Sequence, residues 1–196
     1  RLLDTYDQER RAIGELTVEQ AYSRYVTRVA PYLGAEGMQA IVDDFSMEIG
    51  YRYNSEAVIL EPGEEHPLHE HPRESKGRPG ARAPHVFLER AGERISTLDL
   101  FGAGFALIAA PAGDAWLSAA QGAADELGVP LDAFVVNGGE LRDPEGRFAD
   151  AYGISAAGAV LVRPDGVVGW RALDSTRASA TVIRDSLRSL LGLEAV

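Results

Sequence analysis

Residues Ala151 to Val168 read AYGISAAGAVLVRPDGVV, and the fold turns on how this stretch is parsed. The apolar run Ala159-Val160-Leu161-Val162 suits a strand covered on both faces. Arg163-Pro164-Asp165-Gly166 then has the chemistry of a tight turn, with proline presetting one dihedral and glycine free to adopt another. Ala159 to Arg171 is therefore predicted to be a β-hairpin. Just upstream, Phe148 to Tyr152 fits a short helix stopped at Gly153. Just downstream, Ser179 to Leu191 is predicted to be helical, with Val182, Ile183, Leu187, Leu190 and Leu191 on one face.

Working back towards the N-terminus, Leu131 to Asn137 (LDAFVVN) reads as a buried strand. Ala112 to Leu127 reads as a helix with Asp114 in its first turn and Gly128 just past its end. Gly104 to Ala110 (GFALIAA) is continuously apolar, as a central strand would be. Pro84 to Leu88 and Ile95 to Phe101 are predicted to be strands on either side of a turn at Gly92. Before them, Glu61 to Arg82 is rich in Pro, Gly, Glu and His and lacks apolar periodicity, which predicts an exposed linker. Met47 to Leu60 alternates well enough for a strand or hairpin turning at Asn54-Ser55. Residues 1–29 have helical spacing, with a second amphipathic run from Val18 whose predicted N-cap is Thr17, ended by Pro31 and Gly34.

The order strand, helix, strand, short helix, hairpin, helix resembles the thioredoxin-like fold. The expected class is thus α/β: a thioredoxin-like central sheet with flanking helices, preceded by a small helical and β-hairpin segment. In that family a Tyr-Gly-Ile or Tyr-Gly-Val segment leads through a proline into the hairpin, and Gly158 stands where the proline would be. The redox cysteines would fall within Pro111 to Trp116, but the chain contains no cysteine, so disulfide exchange is excluded for want of a thiolate.

More of the chain resembles one larger family. GRPGARAPHVFL (Gly77 to Leu88), STLDLFGAGFAL (Ser96 to Leu107), Trp116 and AYGISAAGAVLVRPDGVVGWR (Ala151 to Arg171) are similar to the C-terminal domain of class A FAD-dependent aromatic-ring monooxygenases, in the phenol hydroxylase and polyketide hydroxylase branches. LLDTYDQERR, with Ala12 where proline is usual, resembles the helix that closes their FAD domain. GYRYNSEAV (Gly50 to Val58) resembles the segment before their linker. The resemblance implies three parts: residues 1–60 as the end of an FAD and substrate domain, 61–82 as linker, and 83–196 as a thioredoxin-like domain without redox cysteines. It also implies that FAD and NAD(P)H serve the full-length enzyme, that an aromatic compound is its substrate, and that an upstream FAD-binding domain of the same polypeptide is this region's partner. Arg1 falls inside a helical pattern without a cap, which reads as the interior of a longer chain.

No catalytic, cofactor-binding or metal residues are expected within these 196 residues. The one approach to a dinucleotide fingerprint, Gly102-Ala103-Gly104, lies between two strands and lacks the third glycine. His66, His69 and His71, with Glu64, Glu65 and Glu70, have metal-ligand chemistry, but Pro67 and Pro72 interrupt any regular strand and a solvated loop is expected. Arg10, Arg11, Arg82 and His85 are the expected interdomain contacts: Arg10 and Arg11 through two-pronged bonds to carboxylates of the upstream domain, with a solvated helix face as the alternative, and His85 through a hydrogen bond. Trp116 and Trp170 are expected to be core or interface anchors.

The net charge of −11 argues against a nucleic-acid partner, and no apolar stretch approaches the length needed to cross a membrane. With no signal peptide and no cysteine, a cytoplasmic location is expected. The remaining alternative is a free-standing, redox-inactive thioredoxin-like binding module.

Overall fold

The computed structural model describes residues 2–34, 36–63 and 65–193. Its centre is a four-stranded sheet in the order β4-β3-β6-β7, formed by β3 (Phe105–Ala109), β4 (Leu131–Val135), β6 (Ala159–Val162) and β7 (Val168–Ala172). β3 runs parallel to β4 and antiparallel to β6, and β6 pairs antiparallel with β7. This is the arrangement expected of a thioredoxin-like sheet. The RPDG turn joins β6 to β7, with Gly166 at φ 81°.

Alternation along the strands sends side chains to two cores. Phe105, Leu107, Ala109, Ala159 and Leu161 face α3 (Asp114–Leu127) and α5 (Ala180–Leu190), where they meet Trp116, Ile183, Leu187 and Leu190. Ala106, Ile108, Val160 and Val162 face the other way, onto Leu88, Leu100, Phe148 and Tyr152. That second layer includes α4 (Phe148–Ala151) and a small sheet in the order β2-β1-β5, from β1 (Phe87–Arg90), β2 (Glu93–Ser96) and β5 (Leu141–Arg142). Gly128 ends α3 in the left-handed conformation, and the Ser179 side chain caps α5. Trp116 and Trp170 pack edge to face at 5.4 Å, and the Trp116 indole donates to the Ala157 carbonyl at 3.1 Å.

Several local expectations are corrected. The N-terminal pattern forms one helix, α1 (Leu2–Arg28), which passes straight through Thr17. The Thr17 hydroxyl donates back to the Ile13 carbonyl at 2.7 Å and is no cap. There is no hairpin over 47–60: Met47 lies in α2 (Asp44–Ile49), and the chain beyond finds distant partners. Arg52 N–H donates to Leu68 O, Tyr53 N–H to Gly80 O and Ile59 N–H to Gly169 O, at 2.8, 2.9 and 2.8 Å. The strand expected over Ile95 to Phe101 ends at Ser96. Thr97–Leu100 is a 3-10 turn fixed by a reciprocal Ser96–Asp99 cap, a Ser-x-x-Asp signal inside an apolar run. Leu131 to Asn137 is only half-buried, because β4 is the edge of its sheet.

The stretch over 61–82 is not an exposed linker but a strap laid on the sheet. Gly80 N–H donates to Val168 O, Val168 N–H to Ala81 O and Ala83 N–H to Gly166 O, all within 2.9 Å. Ser75 and Ala81 are buried. The glycines that suggested a flexible linker serve close approach: a Cβ on Gly80, at φ +87°, would stand 2.2 Å from the Tyr53 carbonyl oxygen.

Candidate functional site

Two largely buried arginines, Arg163 and Arg171, bind the first 82 residues to the thioredoxin-like sheet, and a third, Arg52, ties the first 82 residues to one another. Arg163, at the exit of β6, grips Glu9 of α1 with two bonds, Nη1 to Oε1 at 2.6 Å and Nη2 to Oε2 at 3.0 Å. It also holds Asp165 of its own turn through Nε and Nη2, at 3.1 and 2.6 Å. Glu9 is 5% exposed and takes a further bond from the Ser55 hydroxyl at 2.7 Å. Burial pulls the Arg163 guanidinium pKa down, but the Glu9 and Asp165 carboxylates outweigh it and the net shift is upward.

Arg171 on β7 repeats the arrangement. It binds both oxygens of Glu61, at 2.7 and 2.5 Å, and donates to the carbonyls of Lys76 and Tyr152 at 2.7 and 3.0 Å. Arg52, 2% exposed, donates to the Pro79 carbonyl at 3.1 Å and lies 3.4 Å from the Glu70 carboxylate, which also pairs with Arg78. A guanidinium stays charged at any ordinary pH, so this seam fixes geometry and moves no protons.

Among the residues expected to make contacts, Arg10 joins the seam: its Nη1 donates to the Tyr53 hydroxyl at 2.9 Å, which raises the guanidinium pKa. Burial pushes the Tyr53 phenol up, against the Arg10 bond that lowers it. Arg11 instead forms an exposed bidentate pair with Asp7 one turn away. Arg82 and His85 line a cleft of about 580 Å³ where α2 and residue 51 approach the strap and α4. His85 Nδ1 lies 2.6 Å from Ser96 Oγ, but that oxygen already accepts from Leu98 N–H as a helix cap and is no activated nucleophile. A second cleft of about 610 Å³ borders the seam at Tyr6, Arg10, Tyr53 and Arg163.

No group of metal-ligating side chains occurs among the described residues. His69 makes a backbone bridge with Tyr51, His71 stacks on Phe45 at 6.3 Å, and Glu64 lies outside the described residues. Gly102-Ala103-Gly104 does not fit a dinucleotide cradle. A dinucleotide cradle needs open space at its glycines and a helix directly after them. A Cβ on Gly104 would stand 2.6 Å from the Pro130 carbonyl oxygen, and β3 rather than a helix follows. Sequence reasoning missed Glu9, Arg52, Glu61, Arg163 and Arg171. The available signal was an arginine at positions whose neighbours are all core, as in AVLVR and VGWRA.

Comparison with known proteins adds a family match. Residues 76–193 match the model for the C-terminal domain of aromatic-ring hydroxylases. The chain is similar to 4-methyl-5-nitrocatechol 5-monooxygenase of a Burkholderia species, at 50% identity over 97% of the chain and 35% of that protein. It is 44% identical to aklavinone 12-hydroxylase of Streptomyces purpurascens over 97% of the chain and 35% of that protein. In structure it resembles aklavinone-11 hydroxylase, solved with FAD and aklavinone, with TM-score 0.89 and 42% identity over 97% of this chain and 35% of that one. The chain spans about a third of the length of the curated relatives it matches.

Proposed function

Because the chain belongs to the aromatic-ring hydroxylase family, matching its C-terminal domain, we propose that it works as the C-terminal third of an FAD- and NAD(P)H-dependent monooxygenase. The substrate is an aromatic ring, of the polyketide type or a simpler phenol. Support for a polypeptide extending beyond these residues comes from α1, whose buried side is mostly polar and whose outer side is partly apolar. Its buried positions include Thr5, Glu9, Gln20 and Ser23, and Gln20 bonds the backbone of Ala40 and Val42 at 2.9 and 2.8 Å. Its outer side carries Val18, Tyr22, Tyr25 and Val29, between 47 and 70% exposed, in a stripe that continues to Tyr32. Spacing of four and three residues makes this one face of the helix. An apolar stripe left in water on a structured helix marks a contact surface. The remaining two-thirds of the relatives' length is the partner this reading assigns to it.

In this proposal residues 1–60 complete the FAD and substrate domain, 61–82 connect, and 83–196 form the redox-inactive thioredoxin-like domain. Arg163 ties the last of these to the first, and Arg171 ties it to the second. Arg10 and Arg11 lie on the helix that meets the upstream domain, while Arg82 and His85 line the cleft where the two units meet. FAD and NAD(P)H are held outside residues 1–196. The enzyme works in the cytoplasm, in keeping with the lack of any described helix long and apolar enough to cross a membrane.

Absorbance near the flavin band tests the reading. The longer polypeptide carrying residues 1–196 is expected to purify with FAD and to oxidise NAD(P)H in the presence of an aromatic substrate, and residues 1–196 alone to carry no flavin. A flavin-free longer polypeptide, or stoichiometric flavin on residues 1–196, overturns it.

A further inference from the structure

The cleft of about 580 Å³ has a charge pattern that the seam does not explain. Its lining holds Arg73, Lys76, Arg82, His85 and Arg147 against one carboxylate, Asp150, on a chain whose net charge is −11. Lys76 is the cation that Asp150 serves, at 3.5 Å. The side chains of Arg73, Arg82 and Arg147 make no hydrogen bond or ion pair with any described residue, whereas Arg52, Arg163 and Arg171 each have partners. Unpaired guanidinium groups around one concavity repel each other and raise the local concentration of anions. Their planar donor forks suit phosphate oxygens in particular.

Another part of the lining is apolar and aromatic. Phe45 and Ile49 of α2 and Tyr51 line it, and Phe45 is 59% exposed although it sits on a helix held by the Asp43 cap. A flat ring can stack on such a wall, a contact that tolerates any base because every base has a π-face. The volume falls in the range of small-molecule sites, which gather at the boundaries between packed units. Here the wall comes from residues 45–51 and the cations from 73–85 and 147.

We propose that this cleft is a nucleotide site: the base packs on Phe45 and Tyr51, and the phosphates are held by Arg73, Arg82 and Arg147. His85, whose Nδ1 is engaged by Ser96, has its other ring nitrogen as a further hydrogen-bonding group. Glu9 and Arg163 lie outside this lining, so the substitutions below leave the docking of α1 intact.

The test is calorimetric titration of the longer polypeptide that carries residues 1–196, with its own bound groups left in place, using ADP, inorganic pyrophosphate and adenosine as probes. ADP is expected to bind, to weaken as salt is raised, and to bind more tightly than either half-probe. Arg73→Gln with Arg147→Gln is expected to weaken ADP at least tenfold, and Phe45→Ala to weaken ADP but not pyrophosphate. The substituted positions are exposed, and circular dichroism should match that of the parent. Absence of ADP binding at millimolar concentration and low salt overturns the assignment. So does binding that the double arginine variant leaves unchanged, which places the nucleotide elsewhere in the polypeptide. Equal affinity for ADP and pyrophosphate refutes the stacking wall and leaves a simple anion site, which is not the one proposed.

Discussion

Replacing Arg163 by methionine keeps most of the side-chain volume and removes the charge that Glu9 answers. Glu9 then remains 5% exposed with one hydrogen bond, from Ser55. Leaving one member of a buried ion pair without its partner typically costs about 3–5 kcal/mol. Two features reduce that figure here. The Ser55 hydroxyl still serves one carboxylate oxygen, and the adjoining cleft of about 610 Å³ admits water. About 2–3 kcal/mol is therefore expected, and it should fall on the docking of α1 rather than on the sheet, whose core does not include Glu9. Hydrogen exchange separates the two, since local opening and global unfolding report through different amides. At 1.36 kcal/mol per factor of ten, amides in the first half of α1 should exchange about 30- to 160-fold faster, while those of β3 and β6 stay unchanged. Adding Glu9→Met should restore most of the protection, because apolar residues of similar volume often replace a buried pair without loss. Protection of α1 that changes by less than about 0.5 kcal/mol, the worth of an exposed pair, refutes the seam as the device that holds α1. Equal loss in α1 and β3 refutes its local character.

Other consequences can be checked separately. Gly80→Ala forces a Cβ to 2.2 Å from the Tyr53 carbonyl at φ +87°, whereas Gly146→Ala, at φ +64°, meets nothing within 4 Å. In urea unfolding the first should cost well above the roughly 1 kcal/mol of the second. Tyr152→Phe removes a 2.8 Å bond to the Pro84 carbonyl, which keeps a 2.8 Å bond from Thr97, so about 0.5–1.5 kcal/mol should be lost in thermal melts. Burial raises the Tyr152 phenol above its ordinary value of 10.0, so the folded chain keeps its proton after the unfolded chain releases it. Stability present below pH 10 should thus decline above it, and less steeply in Tyr152→Phe. Asp43, capping α2 through the Ser46 hydroxyl and N–H, is held below 3.8. Its contribution is complete above that value and lost as pH falls through the lower folded value, which amide shifts of Ser46 would follow.

The thioredoxin-like half was legible because its signals are local. Ala159–Val162 is apolar without interruption, RPDG dictates its own turn, and Gly128 closes α3 where the apolar periodicity stops. The first 82 residues were not, because their structure is set at a distance. Tyr53 pairs with Gly80, and Ile59 with Gly169, and no window of neighbouring residues contains either bond. The same holds for the site. Glu9 and Arg163 are 154 positions apart, and each alone reads as an ordinary charge. The expected contact residues fared unevenly for that reason. Arg10 was found beside a Tyr53 that sequence could not place next to it, and Arg11 pairs with Asp7 in a one-turn spacing visible from the start.

The Glu9–Arg163 grip also has a history during synthesis. At about 5–20 residues per second, a ribosome takes roughly 8–30 s to add the 154 residues that separate the two partners. Throughout that interval Glu9 of α1 has no guanidinium to receive it. The RPDG hairpin is what latches α1, so a polypeptide released before that turn leaves α1 open to chaperones and proteases.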